Sequence, residues 1–201
     1  MREFPFIDIL EEFPKMEVDR TTQLFIISLI AFYCERQRKS KGGIVGLNIG
    51  KNGAVYKIRI SENEITKKFK FGIDTIIRIN EEIEKKELPI KIKSEKAVSK
   101  CRKYGRHASV GSDKWRRKYI NYERVYEIKL KRKGTEIIYI PIKIIYEKKL
   151  TYTEKMALVW NLSLKAKYDR QPSIKELAKE SGISERTISK AKKKYPQFFK
   201  K

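Results

Sequence analysis

A single histidine, His107, sets the first limit on the chemistry this chain can do. His-x-His metal nucleases need more than one, so a rolling-circle nicking enzyme is excluded. His107 is followed by Ala108, Ser109 and Val110, so the His-x-x-Arg of a tyrosine recombinase is absent too. Cys34 and Cys101 stand alone, with no zinc-ligand spacing, and a reducing compartment would keep them as free thiols. The run Gly46-Leu-Asn-Ile-Gly50-Lys51-Asn52 has three residues between its glycines and Asn where a phosphate-binding loop needs four and a Ser or Thr. It reads as a hairpin turn. The acids form no cluster assignable to two metals. The expectation is therefore a non-enzyme with no catalytic residue, no metal, no cofactor and no bound nucleotide.

What the chain does offer is positive charge. Lys and Arg number 48 against 25 Asp and Glu, giving a formal charge of +23 and a pI near 9.9. Self-repulsion on that scale opposes compaction, so a polyanion is the expected partner. A membrane surface is the weaker candidate. The longest apolar run, Leu24 to Tyr33, is far short of the ~20 residues that span a bilayer. Met1 to Pro5 lacks the regions of a signal peptide, and the last residues carry no lipidation signal. No membrane partner and a cytoplasmic, nucleoid-associated location are the expectations.

The cations concentrate in two places. The first is Ser184 to Lys194, where Glu185, Arg186, Ser189, Lys190 and Lys193 share one side of a helix and Ile188 and Ala191 the other. The second is a basic stretch, Ser94 to Tyr122. Lys96, Lys100, Arg102, Lys103, Arg106, Lys114, Arg116, Arg117 and Lys118 meet few acids there, and Tyr104, Trp115 and Tyr119 are interleaved. Cations among aromatics suit phosphate backbones, minor grooves or single-stranded bases.

The elements that must position these groups follow from periodicity and punctuation. Residues 1–20 form an acidic arm in which Pro5 and Pro14 bracket a short helical stretch. Thr21 to about Lys39 reads as a helix with Leu24, Ile27 and Cys34 on one face. Gly50 to Gly53 joins Ile44–Ile49 to Ala54–Ile60 as a hairpin. Ser61 with Glu64 is a capping box, and a second helix runs from Asp74 to about Lys86. Strands are expected at Ile90–Lys93, Val125–Leu130 and Glu136–Ile145. Thr151 with Glu154 and Ser173 with Glu176 repeat the capping box. A shift of 112 residues carries Ser61 onto Ser173, Glu64 onto Glu176, Phe71 onto Ile183 and Ile76 onto Ile188, which predicts a structural repeat. Three domains result: the arm 1–20, a domain 21–147 holding the insertion 94–122, and a C-terminal domain 148–201.

The stretch Ser173 to Lys193 resembles the helix-turn-helix of bacterial, archaeal and phage DNA-binding proteins, and with the preceding helix the resemblance extends back to Leu150. Leu177 and Ile188 would fill the cleft between the helices, Ala178 would allow a close crossing, and Gly182 would take the left-handed turn. Ile183 would plug the turn, Ser184 would cap the second helix and Ala191 would continue its buried face. The resemblance implies that the outward residues enter a major groove. Arg186 would pair with guanine or clamp a phosphate, and Glu185 would accept from cytosine or assist the helix dipole. Ser189 and Lys190 lie one turn on. Lys192, Lys193 and Lys194 suit phosphate, and Thr187 would reach the backbone or pack.

The order helix, hairpin, helix, turn, helix, strands resembles a winged helix-turn-helix, with the insertion in place of the wing. The fold expectation is thus α+β, with two tandem winged-helix-like modules. The first carries a β-hairpin and a long basic wing; the second is mostly helical, since only Gln197 to Lys201 follow Tyr195-Pro196. In the first module Lys70 stands where the turn glycine would be. Gly72, Ile73, Asp74, Ile77, Arg78 and Glu81 face outward, and weak DNA binding, through Arg78, or dimerisation both stay open. The function implied is sequence-specific double-stranded DNA binding, first as a transcriptional regulator, an operator-bound homodimer. The alternatives are a replication initiator of a plasmid, virus or other mobile element, an architectural protein, and an RNA-binding protein.

Overall fold

The computed structural model describes residues 3–40, 53–86, 88–99, 120–131 and 137–199. The chain is α+β. Packing groups it into two compact units: a central unit, Tyr56–Ile128, and a composite unit made from Met1–Val55 and Lys129–Lys201. The grouping cuts across the expected sequential domains, because the arm and the first long helix pack with the C-terminal segment.

The central unit begins in strand β2, Gly53–Ser61, whose residues alternate between buried (Ala54, Tyr56, Ile58, Ile60) and exposed. The expected first strand of that hairpin and its turn lie outside the described residues. Ser61 ends β2 and caps helix α2, Glu62–Phe69: its Oγ accepts from the Glu64 N–H at 3.3 Å, and the Glu64 carboxylate accepts from the Ser61 N–H at 3.4 Å. Helix α3, Ile73–Lys85, buries Ile76, Ile79 and Ile83. Strands β3, Ile90–Ser99, and β4, Ile120–Lys131, pair antiparallel from Ile90↔Ile128 to Ser99↔Ile120, with a register shift between Ile92 and Ser94. The sheet order is β2-β4-β3.

Both hairpin strands run farther than expected. The polar residues of 94–99 carry no apolar alternation, and the ladder that extends them is a backbone interaction. The insertion therefore leaves and re-enters the sheet at a paired position, Ser99↔Ile120. Buried polar pairs tie helices to sheet: Arg124 Nη2 to Glu62 Oε1 at 3.4 Å, and the Tyr126 hydroxyl donating to Asn80 Oδ1 at 2.9 Å.

In the composite unit the arm is not the expected short helix. Phe4 and Phe6 alternate into the core, so Glu3–Ile7 forms strand β1, antiparallel to β5, Ile137–Pro141. A 3-10 turn follows at Phe13–Met16. The expected strand Glu136–Ile145 stops at Pro141, which has no N–H to give a ladder. Ile142–Tyr146 instead forms a short helix, α4, burying Ile142, Ile144 and Ile145.

Helix α1, Arg20–Ser40, opens where Asp19 Oδ1 accepts from the Thr22 N–H at 2.7 Å. It is buried on every side from Leu24 to Phe32, which is broader than the single expected face and marks it as the core of the unit. It packs on β1, α4 and helix α5, Tyr152–Tyr168. Lys155 of α5 is buried and donates to the Ile145 carbonyl at 2.6 Å, closing the end of α4; burial pushes its ammonium down to about 8.

Helices α6, Ile174–Ser181, and α7, Glu185–Lys194, complete the unit with a 3-10 turn at Pro196–Phe199. The expected repeat holds in backbone. Displacement by 112 residues carries α2 onto α6 end for end, the Ser61 cap onto Ser173 and the start of α3 onto the start of α7. The turn residue is left-handed in both pairs, Lys70 at φ 65° and Gly182 at φ 64°, and each returns its N–H to the residue four back, Thr66 or Ala178. A lysine pays for this conformation through its Cβ, about 1–2 kcal/mol. Lys70→Gly is expected to stabilise the protein by about 0.5–1 kcal/mol, and Gly182→Ala to destabilise it by about 1 kcal/mol. Urea denaturation of both variants checks this; a Lys70→Gly midpoint at or below wild type contradicts it.

Candidate nucleic-acid interface

Helix α7 owes its placement to a small set of apolar contacts and three polar anchors. Leu177 of α6, Ile183 of the turn, and Ile188 and Ala191 of α7 are all buried, as their types and spacing predict. Ala178 is half-buried, and its carbonyl takes the Gly182 N–H at 2.9 Å. Ser184 Oγ accepts from the Thr187 N–H at 3.4 Å and lies 2.9 Å from Thr187 Oγ1. Both residues therefore serve the start of the helix, and Thr187 is half-buried there. Helices α5, α6 and α7 each touch the other two.

The polar anchors were not legible in the sequence. Arg20, at the start of α1, donates through Nη2 to the Gly182 carbonyl, pinning the turn from a residue far away in the chain. Lys194, at the end of α7, gives its ammonium to both carboxylate oxygens of Glu154, at 2.8 and 2.9 Å, and to the Lys149 carbonyl at 3.1 Å. Glu154 is also the partner of Thr151 in the capping box of α5. Burial works to raise its pKa; Lys194 and the Thr151 backbone outweigh that and hold it below the usual carboxylate value. Gln171 donates to Asn161 Oδ1 at 2.6 Å, and Asn161 donates to the Phe198 carbonyl at 2.7 Å, joining the lead-in of α6, the middle of α5 and the terminal turn.

With those groups occupied, the outward side of α7 is left to Glu185, Arg186, Lys190, Lys192 and Lys193, all exposed, with Ser189 half-buried beside them. Arg186, Lys190 and Lys193 fall at i, i+4 and i+7, one stripe along the helix. They make no hydrogen bond or ion pair with another described residue. Such a stripe is a row of cationic donors on a fixed helix, able to bind phosphates or the edges of bases. Among the expected contact residues, Ser184 and Thr187 are spent on the cap and Lys194 on Glu154. Arg78 is exposed on α3, in the central unit. Lys100, Arg102, Lys103, Arg106, Arg116, Arg117 and Lys118 lie outside the described residues.

Comparison of the chain with protein-family models, curated proteins and solved structures finds no match. Among the described residues no helix is long and apolar enough to cross a membrane.

The lead-in to the interface is held by a carboxylate. Glu176 accepts from the Ser173 N–H at 2.7 Å and from both arms of the Arg170 guanidinium. Arg170 first, then the Ser173 backbone and hydroxyl, pull its pKa from 4.5 to about 2. A lowered carboxylate pKa contributes stability that is complete above the unfolded value and is lost as pH falls through the folded one. The stability difference between wild type and Glu176→Gln should thus be full at pH 5 and vanish toward pH 2. Denaturant titrations across that range check this; a difference that stays constant contradicts the network.

Proposed function

We propose that this chain is a sequence-specific double-stranded DNA-binding protein that lays α7 in a major groove as the second helix of a helix-turn-helix. The observation that carries the reading is the stripe Arg186, Lys190 and Lys193, exposed and without a partner among the described residues, on a helix whose other side is locked by Ile188 and Ala191. A guanidinium near the N-terminus of such a helix suits bidentate contact with a guanine edge, and ammonium groups further along suit phosphates. The excess of cations, +23 over the chain, supplies the sequence-independent part of the affinity.

The central unit supports a winged-helix reading of the first module. Its order β2-α2-α3-β3-β4, with β4 between β2 and β3 in the sheet, puts a β-hairpin directly after a helix pair. That hairpin leads into Lys100, Arg102, Lys103, Arg106, Lys114, Arg116, Arg117 and Lys118, with Asp113 the acid among them. In this reading the segment is a basic wing.

Transcriptional regulation is the role we favour, with the protein on an operator as a homodimer. A second reading, replication initiation on a mobile element, draws on the repeated helix pair, two similar modules in one chain. A regulator binds one palindrome; an initiator binds direct repeats and distorts an adjacent AT-rich tract.

Arg186→Ala is expected to cost about 1–3 kcal/mol of specific binding and to relax sequence preference, whereas Lys193→Ala weakens all duplexes alike and lowers the salt slope by about 1. Fluorescence anisotropy on matched and scrambled duplexes at several salt concentrations separates the two. Unchanged discrimination in Arg186→Ala would sink the docking arrangement.

A further inference from the structure

The two helix pairs share their starting positions, first cap and left-handed turn but not their charge. The 112-residue displacement sets Asp74 against Arg186, Ile77 against Ser189, Arg78 against Lys190 and Glu81 against Lys193. Exposure is matched along the series: Asp74, Arg78 and Glu81 are exposed, as are Arg186, Lys190 and Lys193, while Ile77 and Ser189 are both half-buried. The charge is reversed at two of the four positions. Arg78, the cation that remains on the α3 stripe, already has a partner within the protein. A helix in a major groove is flanked by phosphates, one charge per ~1.7 Å of duplex axis, so carboxylates at the first and third exposed positions oppose entry.

We infer that α3 does not dock on a duplex, and that Asp74 and Glu81 are the side chains that exclude it. Each chain then brings one docking helix, α7, and reads one half-site; a palindrome takes two chains. The inference rests on the reading of α7 given above. It removes Arg78 from the expected DNA contacts.

The test uses the full chain on a duplex selected by the protein itself. The salt dependence of binding is measured for wild type, Lys190→Ala and Arg78→Ala, with circular dichroism confirming the fold. Arg78→Gln, which keeps side-chain length and loses the charge, replaces Arg78→Ala if that variant unfolds. The expected result is a salt slope lowered by about 1 in Lys190→Ala and unchanged in the Arg78 variant. Equal losses at Arg78 and Lys190 overturn the inference and leave the reading of α7 in place. No loss at Lys190 in folded protein overturns both.

Discussion

Between α6 and α7 the chain reverses direction across residues 182–184, and that reversal depends on a left-handed residue at Gly182. Everything on the outer side of α7 is aimed by it. The turn is over-determined: the Gly182 N–H returns to Ala178, its carbonyl takes Arg20, and Ile183 is buried beneath it. At the other end of the helix Lys194 is fastened to Glu154. A helix fixed at both ends holds the backbone beneath the stripe in place, so binding has to order only the long exposed side chains. The same reversal at Lys70 is made by a residue that resists it, so the central unit must hold that turn by packing around Phe69, Phe71 and Ile76.

The elements around the interface were legible because their signals are local. A capping box spans four residues, and all three boxes, at Ser61, Thr151 and Ser173, form as read. The repeat was legible for the same reason, being a recurrence of caps and apolar positions at fixed spacing. What escaped is non-local. Arg20 meets Gly182, Lys194 meets Glu154, and β1 meets β5 across distances in sequence for which periodicity has no signal. Composition also misled twice. Pro5 suggested a helix boundary, yet it sits inside a strand opposite Tyr139. The run of isoleucines after Pro141 looked like continued strand and folds as a helix. In the candidate site, exposure on α7 followed from helical spacing. Which cations were already engaged did not, because that depends on partners supplied by α5.

The two helix pairs differ in the charge of their exposed stripes. The α7 stripe is basic throughout, and the corresponding stripe of α3 interleaves acids. What recurs in the two helix pairs is what folding needs, namely the capping box of the first helix, the left-handed turn and buried apolar positions. The exposed positions are free of those demands and can diverge in sign. The excess positive charge of the chain is thus unevenly placed. It gathers on α7 and in the segment that joins β3 to β4, whose ends are brought together at Ser99 and Ile120.

The most direct measurement of the central claim is selection of random duplex DNA by the purified full chain at about 150 mM salt, near physiological ionic strength, with a random RNA pool in competition. The account predicts a defined duplex motif, recovered in preference to RNA. Its symmetry would distinguish the two readings, an inverted repeat marking a regulator and direct repeats an initiator. Recovery of no motif, or enrichment of RNA over duplex, would contradict the claim and leave only the charge of the chain to explain its binding.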